Sequence, residues 1–443
     1  MKKSPQKPLK NNDNHHLGNN QNSLERNAFC RFGKAFGIMV LPLLLSGCSF
    51  FDHIRGLDQL LGSSSSVSAS MEASSSEESS SEIPSFSSEG SFSGEGSSGS
   101  IETSFDPISF HFLTLQTSSQ TLYNGDAIFI KAGDNDILID AGSRVSSASS
   151  LKRQINQYCT DGKLEYVFAT HAHQDHIAAF GGTSKANKGL LYEYKVGTLI
   201  DFDLTNNVNP DNPEATSKAV YTNYIAARDY AVENGAIRYS ALDCVNEKNG
   251  AKKSFDLGKG LSVEVLYQKY YETRTNNENG YSVSLLFKQG EKKMLFTGDL
   301  EDDGCDSLLE HNAIGHVDLF KGGHHGSINA NADSFLKAIT PSTICTCCVA
   351  GSNEYTSNNS NTMPYQATID NWAKYTDEVY LTSYAASTGK KSEIGEGGDL
   401  NGEITVNYDE SGDKSISGSN NSLKLKDTVW MKNNRVMPEE WKS

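Results

Sequence analysis

The chain has 443 residues, a formal net charge of −16, eight cysteines and 37% hydrophobic residues. That length allows one large domain plus appendages. The acidic balance argues against broad electrostatic binding of nucleic acid or of an anionic membrane, and so against an architectural DNA binder, but not against an enzyme whose bound metal cancels part of the local field.

In chain order, residues 1–36 are polar and basic, with Lys2, Lys3, Lys7, Lys10, Arg26, Arg31 and Lys34. Gly37 to Leu45 is an apolar run too short to span a bilayer, with the length of a signal-peptide core. It ends in Leu45-Ser46-Gly47-Cys48, which resembles a bacterial lipobox. Residues 1–47 are therefore expected to be a lipoprotein-type signal peptide. Cys48 becomes the lipidated N-terminus, anchored on the extracellular face of the bacterial membrane. Within the tether expected over 48–104, residues from about 62 to 104 are dominated by Ser, with Glu and Gly interspersed. This stretch cannot bury enough apolar surface to fold, which is why it reads as a tether.

The folded domain is expected over 105–408. Strands are predicted over Ile108–Leu115, Ala127–Lys131, Asp136–Asp140, Lys163–Thr170, Leu261–Gln268, Tyr281–Gln289, Lys292–Asp299 and Glu403–Tyr408. Helices are predicted over Ser149–Tyr158 and Pro213–Asn234, and another from about Ala332. Cys345-Thr346-Cys347-Cys348 lies in a buried-strand pattern without a second ligand pair nearby, so these cysteines read as small buried residues. Residues 409–443 are expected to be an appendage, joined by a Gly/Ser/Asn linker, with Leu423–Met431 either a docked strand pair or a surface element.

The chemistry concentrates in Thr170-His171-Ala172-His173-Gln174-Asp175-His176, on the loop leaving a strand. His171 and His173 are two apart, so both rings can point to one side of an extended loop. Asp175 and His176 follow as the chain turns into a helix and face a second position. This suits two neighbouring metal ions. Imidazole with carboxylate favours zinc, with manganese or iron as alternatives. Further strand ends carry Asp140, Asp299 in Thr297-Gly298-Asp299, and His324-His325-Gly326-Ser327.

This ordered set, with Asn124-Gly125-Asp126-Ala127 and Asn279-Gly280-Tyr281-Ser282, resembles the metallo-β-lactamase superfamily. Within it the chain is most similar to the extracellular hydrolase domain of ComEC-type competence proteins. The resemblance implies an α/β fold, a four-layer αββα sandwich, holding one or two Zn2+ or else Mn2+. It implies that His171 and His173 bind the first metal. Asp175, His176 and one of His324 or His325 bind the second, and Asp299 bridges. His324 is preferred as ligand because it comes first after the strand. His325 then protonates the leaving group or contacts phosphate. Lys321 and Ser327 are candidate phosphate contacts, and Asp175 counts among the catalytic residues as well as the ligands. Asp140 and Asp126 are expected to brace the histidines. The sequence departs from the family in having no histidine between His176 and His311, so Asp201 or Asp203 is a substitute ligand. Met363-Pro364 also stands where ComEC-type domains tend to carry His-Pro.

A metal pair held in this way acidifies a bound water, polarises the bond under attack and stabilises the leaving oxygen. The expected activity is phosphodiester hydrolysis, with a nucleic acid among the possible substrates. The alternatives are hydrolysis of another ester, such as a phosphocholine ester or a lactone, and a non-catalytic binding lipoprotein on the same fold. No protein partner is inferable.

Overall fold

The computed structural model describes residues 104–442, apart from 118–120, 184–186, 210, 213–217, 357, 359–360 and 386–399. The expected signal peptide, lipidated Cys48 and Ser-rich tether lie outside the described residues, as do the first residues of the helix predicted from Pro213.

The domain opens with β1 (Ile108–Phe112), β2 (Ile128–Ala132), β3 (Asn135–Ile139) and β4 (Lys163–Phe168). A small hairpin of β5 (Gly182–Thr183) and β6 (Asn187–Lys188) follows, then β7 (Lys195–Asp201) and β8 (Ile237–Ser240). The next seven strands form a second sheet: β9 (Ser254–Gly258), β10 (Leu261–Leu266), β11 (Ser284–Gln289), β12 (Lys292–Phe296), β13 (Leu319–Lys321), β14 (Ile344–Ala350) and β15 (Val379–Tyr384). The chain then returns to the first sheet with β16 (Ile404–Tyr408) and β17 (Lys414–Gly418). The first sheet runs β17-β16-β1-β2-β3-β4-β7-β8 and the second β15-β14-β13-β12-β11-β10-β9. Both are mixed. The neighbours β3, β4, β7 and β8 are parallel, as are β12, β13, β14 and β15, and the remaining pairs are antiparallel.

The helices are α1 (Ala148–Ile155), α2 (Gln174–Gly181), α3 (Leu190–Glu193), α4 (Ala219–Glu233), α5 (Ala241–Val245), α6 (Asp302–His311), α7 (Asp333–Ile339), α8 (Gln366–Ala373) and α9 (Val429–Asn434). The period of two along the strands of the second sheet decides what each side meets. Leu285, Phe287, Met294, Phe296 and Leu319 share a core with the first sheet. Their sequence neighbours Leu286, Leu295 and Phe320 pack instead with Leu308 of α6, Leu336 of α7 and Trp372 of α8. Between the sheets, Phe110 stacks on Phe296 at 5.4 Å and meets Phe287 edge-on at 5.7 Å. On the other side of the first sheet, Phe129 stacks on Tyr158 beyond α1. Two sheets face to face with helices outside make the α/β, four-layer αββα sandwich.

The C-terminal segment is part of this domain rather than an appendage. β17 pairs with β16 along its length, from Ile404 opposite Gly418 to Tyr408 opposite Lys414. Leu425, Trp430, Met431 and Trp441 are buried in the core under the second sheet. Leu423–Met431 is no strand pair: Leu425–Asp427 is a 3-10 turn and α9 begins at Val429, with Thr428 Oγ1 capping it by accepting from Met431 N.

Candidate metal centre

Strands β3 and β4 are parallel neighbours, and so are β12 and β13. The loops leaving each pair therefore emerge on one side, where open α/β sheets place their ligands. Asp140 follows β3, the His171–His176 stretch follows β4, Asp299 follows β12, and His324 and His325 follow β13. Backbone bonds stitch the first loops together. Asp126 N donates to Asp175 O at 3.0 Å, Ala141 N to His176 O at 2.7 Å, and Gly142 N to Asp126 O at 2.8 Å. Gly142 is required by that approach: a Cβ there would stand 1.7 Å from the Asp175 carbonyl oxygen.

Four side chains converge. Ligand-type atoms of Asp175, His176, Asp299 and His325 all lie within 4.8 Å of one another. Asp299 Oδ2 is the hub, 2.9 Å from His176 Nε2, 3.2 Å from His325 Nε2 and 3.7 Å from His324 Nε2. His325 Nε2 stands 3.5 Å from Asp175 Oδ2. His325 is thus the member of the histidine pair inside the cluster. His324 lies farther out, with Nδ1 3.4 Å from Glu301 Oε1. His171 and His173 form an adjoining pair, with His171 Nε2 3.0 Å from His173 Nδ1.

The surrounding groups set the rings. Asp140 Oδ2 accepts from His176 Nδ1 at 2.7 Å, which turns Nε2 toward Asp299. Asp140 is itself held by Thr170 N at 2.8 Å and Thr170 Oγ1 at 2.7 Å. The hydroxyls of Thr170 and Ser282 lie 3.1 and 3.3 Å from His171 Nδ1. Asp126 sits behind His325, 3.4 Å from its Nδ1. The expected bracing by Asp140 is therefore visible in the geometry, whereas His325 Nδ1 is held at 3.1 Å by Cys347 O and Asp126 only stands close to it.

Burial pushes the His171 and His173 imidazoles down, His171 the more strongly, with His176 adding to the effect. Burial also opposes the charged forms of His176 and His325. For His176 the adjacent Asp299 and Asp140 outweigh it, and for His325 Asp299 and Asp126 do, so both imidazoles are held well above their usual range. Burial likewise opposes ionisation of Asp299, but His176, His325 and Lys321 keep its carboxyl well below the usual range.

Lys321 is only 1% exposed, and Nζ contacts Asp126 Oδ2, Gly298 O at 2.9 Å and Asp299 Oδ1 at 3.3 Å. With its donors so engaged it faces the carboxylates behind the cluster and has no open side for a phosphate. The Ser327 hydroxyl donates to Asn329 Oδ1 at 2.6 Å. The predicted helix beyond it is the short α7. Asp201 is saturated by Arg238 (2.6 and 2.9 Å), Arg228 and the Tyr224 hydroxyl, and Asp203 accepts from Leu242 N at the start of α5. Neither belongs to the metal-type clusters of the described residues. The substitution of Asp201 or Asp203 for the missing histidine is thus corrected: both carboxylates are committed to structural partners. Pro364 packs over Gly326, next to the histidine pair.

Two site residues escape sequence reasoning. Glu301 accepts from Asn277 Nδ2 at 2.6 Å and Asn279 Nδ2 at 2.8 Å beside His324. Its position two residues after Asp299, on the same strand-end loop, was the available signal. The Tyr355 hydroxyl donates to Asp175 Oδ2 at 2.7 Å from a residue far away in sequence, and no local pattern announces it.

The donor set fits a cation. Among the described residues, His325 Nε2 and Asp126 Oδ1 are buried without a hydrogen-bond partner, and His325 Nε2 is aimed among carboxylates. Two imidazoles and two carboxylates suit a borderline divalent ion.

Residues 121–197 match the profile of the Metallo-beta-lactamase superfamily, a span that includes Asp126, Asp140 and the whole His171–His176 stretch. Over that span the chain carries the pattern of the metallo-β-lactamase superfamily, and with its buried His/Asp cluster it is consistent with a metal-dependent hydrolase of that type. Among solved structures it is similar to the metallo-β-lactamase fold protein YhfI from Bacillus subtilis, at 12% identity over 65% of this chain and 99% of that one, with a TM-score of 0.37. A metallo-β-lactamase from Cronobacter sakazakii is 15% identical over 48% of this chain and 79% of that one, with a TM-score of 0.27. A diphosphatase from the PhnP family is 10% identical over 63% of this chain and 96% of that one, with a TM-score of 0.29. No curated protein matches the sequence.

Proposed function

We propose that this superfamily hydrolase cleaves phosphodiesters at the outer cell surface, tethered through a lipidated Cys48. The observation that carries the reading is the convergence of Asp175, His176, Asp299 and His325 beside the His171–His173 pair. When bound there, a divalent metal supplies electrostatic stabilisation of developing negative charge and acidifies water. The protein's own part is to orient. Asp140 sets His176, Asp126 stands behind His325, and Lys321 balances the carboxylates from beneath.

The support for a phosphodiester is the wall next to the metal loop. Asn207 Nδ2 reaches Ala172 O at 3.5 Å and so attaches the loop after Phe202 to the His171–His173 turn. Along that loop opens a cavity lined by Asn206, Asn209, Tyr270, Thr275 and Asn276. Amides and hydroxyls suit non-bridging phosphate oxygens. Val208 is the aliphatic residue in that lining, and a lactone pocket calls for more.

The test is a substrate panel on purified, metal-loaded protein: an activated phosphodiester, a phosphomonoester, a carboxylic ester and a lactone. The diester is expected to be turned over best, with loss of activity in His173→Ala and His325→Ala. Turnover of carboxylic esters or lactones with none on any diester would overturn the substrate class. Diester cleavage that survives both substitutions would locate the activity in a contaminant.

A further inference from the structure

Strands β13 and β14 are parallel neighbours, so the loop leaving β14 emerges on the same side as His324 and His325. The chain turns there, with Ser352 N donating to Val349 O at 3.0 Å and Gly351 N to Met363 O at 2.8 Å. The residues that follow are pinned to the loops of the first sheet. Glu354, whose side chain is 3% exposed, accepts from Asn124 N at 2.9 Å and from Arg144 Nη2 at 2.5 Å. Asn124 stands just before Asp126, and Arg144 shortly after Asp140. Arg144 is fixed in turn, donating to Ser143 O at 2.8 Å and lying 4.2 Å over the Tyr123 ring. A loop anchored in this way presents its next side chain, Tyr355, already in position.

The Tyr355 hydroxyl donates to Asp175 Oδ2 at 2.7 Å, so this residue touches the cluster itself. The rest of it is not packed away: Tyr355 is 52% exposed. The cluster is closed on its inner side, where His176, Asp299 and His325 are at most 1% exposed. It opens where the side chains of Asp175 and His324 are 14% and 19% exposed. A substrate therefore reaches the centre past these two, and Tyr355 stands on the Asp175 side of that approach. The hydroxyl proton is spent on Asp175, so what Tyr355 offers an incoming molecule is its ring. A ring face favours contact with another flat ring. The departing oxygen gains charge and needs polar surroundings, so the ring suits the substituent that stays on phosphorus.

We propose that Tyr355 positions the substrate by receiving a flat aromatic substituent that stays on phosphorus, and so makes the enzyme prefer aromatic diesters to small alkyl ones. This rests on the phosphodiesterase reading above. The hydroxyl bond to Asp175 fixes the ring at the opening, and the ring supplies the contact.

The experiment is steady-state kinetics of the full-length, metal-loaded protein on phenyl 4-nitrophenyl phosphate and methyl 4-nitrophenyl phosphate. The two share a leaving group and differ in the substituent that stays. Metal content is measured in each variant, because loss of metal would scale both substrates alike. Tyr355→Ala is expected to lower the preference for the phenyl diester, read as the ratio of the two kcat/KM values, by about tenfold and mainly through KM. Tyr355→Phe should keep that ratio, because the ring remains. An unchanged ratio in Tyr355→Ala, with or without an equal loss on both diesters, overturns the ring contact and leaves the phosphodiesterase reading standing. A ratio that falls as far in Tyr355→Phe as in Tyr355→Ala also overturns it, by assigning the effect to the hydroxyl on Asp175. A parent protein that turns over neither diester overturns the functional reading itself, and the ring contact with it.

Discussion

Asp140 Oδ2 accepts from His176 Nδ1 at 2.7 Å while His176 Nε2 stands 2.9 Å from Asp299 Oδ2, so one imidazole is held between an orienting carboxylate and a ligating one. Asp140 also occupies the left-handed region, at φ 57°. Asparagine tolerates that conformation well among non-glycine residues, so Asp140→Asn keeps the backbone while removing the charge. The substitution is expected to weaken metal affinity by roughly 10- to 100-fold, the usual effect of losing a group that orients a ligand. Competition with a chromophoric chelator measures it. Affinity equal to the parent's would mean that Asp140 serves only the Thr170 backbone.

Among the described residues, Lys321 is the ammonium set against Asp126 and Asp299 in the interior. Removing one partner of a buried ion group leaves charge uncompensated, at a cost of about 3–5 kcal/mol. Lys321→Met should therefore lower unfolding stability by an amount of that order in the metal-free protein. The deficit should shrink when metal neutralises the carboxylates. Urea denaturation in chelator and in metal reads both. A variant as stable as the parent without metal would show that the carboxylates take up protons instead.

The strands were largely legible because strands buried on both faces read as short continuous apolar runs bounded by turn residues. β2, β3, β4, β10 and β12 fall within a few residues of the predicted spans. The histidine cluster was legible because its members are close in sequence. What was not legible depends on approach in space. Lys321 reads as an available cation until Asp126, about two hundred residues earlier, is seen to cover it. Which of His324 and His325 turns inward depends on consecutive left-handed residues, φ 45° and 52°, that no composition rule announces. β17 was read as linker because Ser415, Ile416 and Ser417 offer one apolar side chain to the sheet, as an edge strand permits.

That edge strand carries the third prediction. Ending the chain at Tyr408 removes β17 and also Leu425, Trp430, Met431 and Trp441 from the core. Deleting one large buried aromatic already costs about 3–5 kcal/mol, a large part of a domain's total stability. The truncated protein is expected to aggregate or to lose cooperative unfolding, and Trp430→Ala alone should lower the melting temperature. A soluble truncation with an unchanged melt would return residues 409–443 to the status of an appendage.

The proposed surface location is tested at Cys48, which follows the basic leader, the short apolar run and Leu45-Ser46-Gly47. Cys48→Ala should release the protein from membranes or leave it unprocessed, seen by fractionation and by migration on a denaturing gel. One acyl chain binds a bilayer weakly, so release should be complete only where the whole lipid group is lost. A variant that fractionates and migrates like the parent would remove the anchor.

The final prediction concerns metal content. Asp175, His176, Asp299 and His325 define one position with four donors, whereas His171 and His173 bring two donors to the position beside it. Neither Asp201 nor Asp203 supplies the third, since both are bonded elsewhere. A site with fewer protein donors holds its ion less tightly. Elemental analysis is therefore expected to give about one firmly held transition metal per chain, with a second that dialysis removes, against the full dinuclear occupancy of complete sites. Because Asp299 Oδ2 is the hub of the cluster, Asp299→Ala should empty the firm position, while His173→Ala should affect the loose one alone. Binding should also stabilise the fold, by about 2.7 kcal/mol when metal exceeds its Kd a hundredfold, which a thermal shift detects. Two ions held equally through dialysis would show that a donor outside the described side chains completes the His171–His173 position. A chelator-free preparation without metal, and without a thermal shift on adding zinc or manganese, would count against the whole ligand assignment.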